Sequence, residues 1–262
     1  NGELETKVDE IMDARKDSQH LAGIGIISEA TYDNPMIYDL IFDLAWADED
    51  FDLDQWISDY LIRRYGGQSD NAEQAWELIK NANYDSGVRL TPELFGLRTG
   101  GVPKNIGKKD IGYDAEDLEN ALRLLLEDFD RFSGSEGYLY DLSEIMRQIC
   151  SNYTVLKYHE VIDARDDKDL EAFRQAKEEF LNAFDVLNEV QKTRQNQLAG
   201  EWIGKAQDRA AEYDDFSKST FEMNAKSLIT TWGSSGGSLV DYGFRTYEGM
   251  FLDLIKSNWT EY

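Results

Sequence analysis

The chain has 262 residues, a hydrophobic share of 41%, an aromatic share of 12% and a formal net charge of -25. This size and apolar content allow a sizeable core, as one large domain or as one domain and part of another. The acidic balance argues against nucleic acid and anionic membrane surfaces as partners, because both attract clustered Lys and Arg. We find no apolar run typical of a transmembrane helix or of a signal peptide.

A short apolar segment with two glycines follows the first predicted helix, which covers residues 4–19. Residues 23–27 read Gly-Ile-Gly-Ile-Ile, a pattern that favours a strand, and Glu29 follows in a polar turn. Helix resumes at Pro35, because proline suits the first helical position. Loops at the carboxyl ends of barrel strands converge on one cavity, so a glutamate there is a candidate for catalysis. The alternative is that Glu29 is one solvated loop acid among many.

The rest of the chain is predicted to be mostly helical. Proline occurs only three times and never after Pro103, and apolar residues recur at spacings of three and four. The predicted helices cover residues 35–47, 53–66, 70–83, 115–131, 138–164, 168–192, 195–213, 215–231 and 240–260.

Three places are predicted to mark helix ends. Ser69-Asp70 and Asp114 are typical N-terminal caps, and Gly66-Gly67 is a typical C-terminal stop. One amphipathic stripe is especially clear. It comprises Leu118, Ala121, Leu122, Leu125 and Leu126.

Two segments interrupt the helical pattern. Residues 84–113 carry Pro92, Pro103, many glycines and the basic run 104–109, and are predicted to be a long loop or a crossing between domains. Loops of that length in a compact protein are usually functional or disordered. Residues 232–237 form the second predicted loop.

Most familiar catalytic constellations lack parts. With only His20, His159 and a single cysteine, Cys150, the sequence cannot build a histidine-rich metal site, and a Ser-His-Asp triad is improbable. Gly23-Ile24-Gly25 is too short to indicate a dinucleotide site. We therefore expect no cofactor and no metal. Carboxylate chemistry assisted by aromatic side chains remains.

At this point the order of motifs resembles a known family, the alpha-N-acetylglucosaminidases of glycoside hydrolase family 89. The matches are collinear over nearly the whole chain, although each is short. They comprise Gly23-Ile24-Gly25, Ser28-Glu29-Ala30, Asn34-Pro35, Tyr38, Ala45-Trp46, Trp56, Tyr60, Arg63-Arg64-Tyr65-Gly66, Ala75-Trp76, Tyr140-Asp141-Leu142, Arg147-Gln148, Gly200-Glu201-Trp202-Ile203, Glu222-Met223-Asn224-Ala225-Lys226, Trp232-Gly233, Asp241-Tyr242 and Trp259.

The resemblance implies that Glu29 is the nucleophile of a retaining glycosidase, and that the substrate is a glycan with a terminal alpha-linked N-acetylglucosamine. It also implies substrate-binding roles for Asn34 and Tyr113. The family's acid/base glutamate lies earlier in the barrel, in an Asn-Glu motif that Asn188-Glu189 does not match. Retaining hydrolysis needs two carboxyl groups. We therefore expect the isolated chain to be inactive.

Two departures from the family pattern bear on the substrate. The usual Pro-Glu-Gly is Ser28-Glu29-Ala30 here, which changes the turn around the carboxylate. Where the family commonly has Trp-Tyr, this chain has Gly112-Tyr113, so a stacking face for the sugar is lost. Tyr113 is either a pocket residue or an anchor for the loop.

The resemblance implies a mainly α fold, namely a multi-helix C-terminal domain preceded by the last strand and helices of a (β/α)8-type catalytic barrel. The expected organisation is a C-terminal remnant of the catalytic barrel with the following helices over 1–83, a crossing loop over 84–113 and an all-helical C-terminal domain over 114–262. The N-terminal part of the barrel is then an expected partner, and an exported or cell-surface bacterial protein is favoured. The alternative is a non-catalytic helical carbohydrate-binding or interaction module.

Overall fold

The computed structural model describes residues 3–27, 35–84, 111–230 and 247–261. Their regular structure is helical, and the β pairing in these ranges amounts to an isolated parallel bridge between Leu198 and Glu248. The mainly α fold predicted from the sequence is confirmed. In chain order the helices are α1 (Leu4–Asp17), α2 (Pro35–Leu44), α3 (Leu53–Tyr65), α4 (Asp70–Ile79) with a π-helical turn (Lys80–Tyr84), α5 (Ala115–Glu127), α6 (Phe129–Phe132), α7 (Glu136–Asp166), α8 (Leu170–Lys192), a 3₁₀ turn (Gln195–Gln197), α9 (Ala199–Arg209), α10 (Asp215–Ile229), a π-helical segment (Phe251–Lys256) and α11 (Ser257–Glu261).

The chain divides into two compact units. The first comprises Asn1–Leu90 and Ile111–Ile145, and the second comprises Thr91–Asp110 and Met146–Tyr262. Helix α7 contributes residues to both.

In the first unit, α1 packs on α2, and α4 packs extensively on α5. Apolar periodicity drives this packing, because residues three and four apart lie on one face of a helix. The core of this unit is rich in aromatic rings. Its fully or nearly buried members include Tyr60, Tyr65, Trp76, Ile79, Leu118, Leu125, Phe132 and Tyr138.

In the second unit, α7, α8 and the C-terminal helical segment share one core. The rings of Phe180 and Trp259 lie 5.2 Å apart and nearly perpendicular, an arrangement that aromatic pairs prefer. The amide N–H of Gly249, whose φ is +87°, donates to the buried Asn188 side chain at 2.8 Å. The core comprises Val155, Tyr158, Val161, Ala176, Phe180, Phe184, Leu187, Phe251, Ile255 and Trp259.

The predicted helix ends are confirmed. The Ser69 hydroxyl accepts from Ala72 N–H at 3.0 Å, and the Asp114 carboxylate accepts from Glu116 N–H at 3.0 Å. Gly66 ends α3 at φ +90°, a left-handed conformation that favours glycine.

Two local predictions need correction. Residues 21–27 have no regular secondary structure, so the expected strand over 23–27 is wrong for these residues. A strand needs a hydrogen-bonded neighbour, and the described residues supply none for this segment. Leu126 was expected on the buried stripe of α5 but is 46% exposed, because the stripe is narrower than the spacing suggested. The other four stripe residues are buried.

The two predicted loops, 84–113 and 232–237, fall mainly outside the described residues. Of the first, Tyr84 ends the π-helical turn after α4, and residues 111–114 lead into α5.

Candidate functional site

Glu29 and Asn34, the predicted nucleophile and a predicted substrate contact, lie outside the described residues. Their flanks are described on both sides. Before them, residues 21–27 carry the fully exposed side chain of Ile27, which is 94% accessible. After them, α2 begins at Pro35, as the sequence predicted. The structure therefore describes the residues on both sides of the segment that carries Glu29 and Asn34.

Helix α2 is fixed at its C-terminal end. The Arg15 guanidinium donates to the Leu44 carbonyl at 2.8 Å, which ties α1 to α2. The Trp56 indole N–H donates to the Asp43 carboxylate at 2.8 Å, which ties α3 to α2. Met36, at the other end of the helix, is fully buried. The helix that follows the candidate segment is thus held from two sides.

Tyr113, the other predicted substrate contact, is described. It lies half-buried in the short turn before α5, next to Gly112, whose φ is +79°. An L side chain is strained at such a φ, so Gly112 and the local backbone fit each other. A tryptophan, which the resemblance places here, would need a different backbone. The absence of the tryptophan ring therefore goes with a different backbone conformation at residue 112, and not only with a different side chain.

A buried polar centre lies in the first unit, where α3 meets α4 and α7. The Arg64 guanidinium donates to both oxygens of Asp141, from Nε and from Nη2, at 2.7 Å each. The Tyr65 hydroxyl donates to Asp141 Oδ2 at 2.9 Å and accepts from the Trp76 indole N–H at 2.7 Å. These four side chains and their hydrogen bonds are called the Asp141 centre below. A bidentate pair of this kind fixes both position and orientation.

Electrostatics in the Asp141 centre follow from burial. Burial raises the pKa of Asp141, and the hydrogen bonds and charge of Arg64 oppose that rise. Burial also lowers the pKa of Arg64, but the adjacent Asp141 carboxylate outweighs it and the pKa lies above its ordinary value. The side chains of Arg64 and Asp141 are only 15% and 8% exposed. A charge pair with so little water around it is costly to break from one side.

Backbone contacts bring α7 against α3 at the same place. The Ser135 hydroxyl donates to the Arg64 carbonyl at 2.8 Å. A Cβ added at Gly137 would lie 2.8 Å from that carbonyl oxygen and 2.6 Å from Arg64 Cγ. Only glycine allows this approach. The sequence motifs around Arg64, Trp76 and Asp141 therefore converge on one junction.

Arg64, Trp76 and Asp141 are motif residues for which the sequence predicts no role. The available signal was the presence of opposite charges, in Arg64 and Asp141, within otherwise apolar helical patterns. Lone charges are rarely buried, so each of these residues needs a partner of opposite charge if its helix face is buried. Periodicity within one helix cannot show which distant residue is the partner.

A metal site, a membrane-spanning helix and a reactive thiol have little support among the described residues. Among residues 3–27, 35–84, 111–230 and 247–261, no group of three or more His, Cys, Asp or Glu side chains is placed to hold a metal ion. Within the same ranges, no helix combines the length and apolar character that crossing a membrane requires. Burial raises the pKa of the Cys150 thiol, which disfavours the reactive thiolate.

Comparison with known proteins identifies the family in two parts. The alpha-N-acetylglucosaminidase (NAGLU) tim-barrel domain matches residues 1–48, and the C-terminal domain of the same family matches residues 56–262. The first match includes the predicted nucleophile, and the second includes the whole Asp141 centre. The chain belongs to the alpha-N-acetylglucosaminidase family.

Individual relatives support this family assignment. Human alpha-N-acetylglucosaminidase is 27% identical over 250 residues, which cover 91% of this chain and 32% of that protein. A family 89 glycoside hydrolase from Clostridium perfringens, solved in complex with PUGNAc, is 31% identical with a TM-score of 0.90; the match covers 100% of this chain and 31% of that one. A variant of the Clostridium perfringens enzyme with two Glu-to-Gln substitutions, solved with its substrate GlcNAc-alpha-1,4-galactose, is 30% identical with a TM-score of 0.90 over the same shares. The chain spans about a third of the length of these relatives.

Proposed function

We propose that this chain is the C-terminal portion of a retaining glycosidase that removes terminal alpha-linked N-acetylglucosamine from glycans, with Glu29 as the nucleophile. The observation that carries the proposal is the match of this whole chain to 31% of a family 89 glycoside hydrolase, at 31% identity and a TM-score of 0.90. The barrel-domain match over residues 1–48 supports it, because Glu29 then lies in the catalytic domain. Barrel enzymes place their chemistry at the carboxyl ends of the strands.

In a retaining mechanism, the Glu29 carboxylate would attack the anomeric carbon while a second carboxylic acid protonates the leaving oxygen. Water would then hydrolyse the glycosyl–enzyme intermediate with help from the second group, now acting as a base. The substrate complex of a relative that carries two Glu-to-Gln substitutions is consistent with two essential carboxylates. We propose that the second one lies upstream of this chain, as the resemblance implies.

The test is Glu29→Gln in the full-length protein. The amide keeps the shape but cannot attack, so kcat on a chromogenic alpha-N-acetylglucosaminide should fall at least about a thousandfold. Glu49→Gln, at an exposed acid a short distance downstream, is the control and should keep full activity. Unchanged turnover in the Glu29 variant would favour the alternative, a non-catalytic carbohydrate-binding or interaction module.

A second variant separates a nucleophile from a general acid. Glu29→Ala leaves space for an added azide ion to attack the anomeric carbon from the vacated side. If Glu29 is the nucleophile, azide should restore turnover and give the glycosyl azide with inverted, β configuration. Recovery of the α azide would instead assign Glu29 the acid role and refute this assignment.

We further propose that Tyr113 and Asn34 contact the sugar. Tyr113 lies on the described turn before α5 and is only half-buried, and tyrosine rings are typical stacking faces for sugars. Tyr113→Ala in the full-length protein should raise KM more than it lowers kcat, because stacking on the sugar ring contributes to ground-state binding. A loop-anchoring role predicts instead a lower melting temperature with KM unchanged.

The N-terminal part of the barrel is the proposed partner of α2. Met36, Leu40 and Leu44 bury one face of this helix, yet Phe42 is 50% exposed on another face and Trp46 just beyond is 89% exposed. A helix that is apolar on opposite sides is typical of a helix buried on both. The match of residues 1–48 to the family's tim-barrel domain supports an upstream barrel segment as the occupant.

This partnership can be tested without measuring activity. The upstream part of the full-length protein and this chain would be co-expressed as separate polypeptides, with an affinity tag on one of them. Trp46→Ser should reduce co-purification, whereas Phe216→Ser, at an apolar residue that is 80% exposed on α10, should not. Equal loss in both variants would refute a specific role for the Trp46 side of the chain.

We also expect the isolated chain to release no N-acetylglucosamine, and measurable release would contradict its dependence on an upstream acid. The boundaries 1–83, 84–113 and 114–262 stay a prediction.

A further inference from the structure

The C-terminal end of α2 is held by its neighbours at two adjacent residues. From α3, the Trp56 indole N–H donates to Asp43 Oδ2 at 2.8 Å. From the last turn of α1, the Arg15 guanidinium donates to the Leu44 carbonyl at 2.8 Å. These two hydrogen bonds are called the α2 clamp below. A hydrogen bond fixes both a distance and an angle, whereas apolar burial is non-directional, so the α2 clamp constrains this end of the helix more closely than packing alone.

Both donors of the α2 clamp are themselves held in place. Trp56 is 8% exposed, and its ring stacks on the Tyr60 ring with centroids 5.2 Å apart and planes 19° apart. The Arg15 Nη1 atom that donates to Leu44 also lies 3.3 Å from the Met12 sulfur on α1. The acceptors on α2 therefore meet groups with a defined position, which is what a device that fixes geometry requires.

The α2 clamp lies at the end of α2 opposite the predicted nucleophile. The helix begins at Pro35, six positions after Glu29, and ends at Leu44. A helix of 10 residues is about 15 Å long, so a tilt of about 4° at the α2 clamp moves Pro35 by about 1 Å. A misplacement of about 1 Å by a change far from the reacting atoms can cost about a hundredfold in rate. The α2 clamp is therefore placed to control where the chain enters α2.

We propose that Trp56 and Arg15 are positioning residues for Glu29, because through α2 they set the place of the segment that carries the nucleophile. The inference rests on the proposed function and adds to it two residues that act through a helix and not on the sugar. Trp56 is one of the residues by which the sequence resembles the family. This role accounts for its indole N–H, since a phenylalanine would fill an apolar core position without one.

The test measures kcat and KM of the full-length protein on a chromogenic alpha-N-acetylglucosaminide. Trp56→Phe keeps a ring against Tyr60 but removes the donor, and Asp43→Leu removes the acceptor. Each should lower kcat about tenfold with KM nearly unchanged, because the nucleophile and not the sugar is displaced. The double variant should lose no more than either single variant, because both remove the same hydrogen bond.

Conservative variants separate the geometry of the α2 clamp from its charge. Asp43→Asn keeps an acceptor oxygen for the indole and should retain most of kcat. It gives up only the ion pair with Arg63, which is 3.6 Å long with both side chains more than half exposed and contributes little. On the other side of the helix, Arg15→Met should lower kcat as Trp56→Phe does, and Arg15→Lys, which keeps a donor, should recover part of the loss.

Tyr138→Phe is the structural control. It removes a hydrogen bond to the Leu125 carbonyl in the same unit, and should lower stability while kcat per folded molecule stays unchanged. A loss of kcat in this control as large as in the α2 clamp variants would overturn the inference. So would full kcat in the α2 clamp variants, at a temperature where they are folded, if Glu29→Gln abolishes turnover; the proposed function would then stand. Unchanged turnover in Glu29→Gln overturns the proposed function itself, so the two failures are distinguishable.

Discussion

Removing the Asp141 carboxylate should destabilise this protein far more than removing a surface acid. Asp141→Ala leaves the Arg64 guanidinium, with a side chain only 15% exposed, without the two hydrogen bonds of 2.7 Å that it makes to Asp141. It also deprives the Tyr65 hydroxyl of its acceptor at 2.9 Å. Breaking a buried pair from one side costs about 3–5 kcal/mol, because the remaining charge is buried and uncompensated.

The control is a pair of the same chemical type on the surface. Arg123 and Glu119 form an ion pair at 3.2 Å with side chains 64% and 49% exposed. Such exposed pairs contribute about 0–1 kcal/mol, because water and salt screen them. Glu119→Ala should therefore change the free energy of unfolding by at most about 1 kcal/mol.

The assay is urea unfolding monitored by far-UV circular dichroism and tryptophan fluorescence. A third variant, Arg64→Met with Asp141→Leu, replaces the pair with apolar side chains of similar size. It should recover most of the loss, because two apolar groups leave no buried charge unpaired. If Asp141→Ala costs no more than Glu119→Ala, the reasoning from burial is refuted.

Two further predictions concern packing and pH. Gly137→Ala should lower the free energy of unfolding by about 1–3 kcal/mol, because its Cβ would meet the Arg64 carbonyl oxygen at 2.8 Å. Gly204→Ala, in the α9 interior with nothing within 4 Å, should instead raise it by about 0.5–1 kcal/mol. Thermal unfolding distinguishes the two variants. Burial raises the pKa of Tyr138 to about 12. Because the folded state holds the phenol proton more tightly than the unfolded state, the contribution of Tyr138 to stability is complete below about pH 10 and is lost as the pH rises toward 12. Tyr138→Phe should flatten that part of the stability profile, and Tyr213→Phe, at a tyrosine that is 57% exposed, should leave it unchanged.

The helical part of the fold was predictable because its signals are local. Apolar spacing located α5, and the hydroxyl and carboxylate of Ser69 and Asp114 marked the starts of α4 and α5. The predicted helix over 115–131 is interrupted at Asp128, where a turn separates α5 from α6. No proline or glycine in the sequence marks this break. It shows why ends of helices are harder to predict than their existence.

The junction at Arg64 and Asp141 was not predictable from local signals. The two residues are 77 positions apart, and periodicity shows only that each lies in a helix. Their pairing is a consequence of how α3 and α7 pack. The π-helical turn Lys80–Tyr84 is a similar case, since the sequence predicted one continuous helix over 70–83. Glu29 stays a prediction, because the described residues end at its flanks.

Motif residues shared with a glycosidase family need not all contact the sugar. Tyr65 and Trp76 are 3% and 4% exposed, and their polar atoms are already engaged within the Asp141 centre. A side chain so enclosed cannot touch a glycan without local unfolding, so its presence in a motif is explained by stability. Glu29 has no such explanation in the described structure. The two kinds of motif residue should therefore separate in one comparison: Asp141→Asn should lower the midpoint of unfolding but preserve kcat per folded molecule, whereas Glu29→Gln should preserve the midpoint and abolish kcat. Loss of kcat in both variants at temperatures where both are folded would place the Asp141 centre in the catalytic machinery after all.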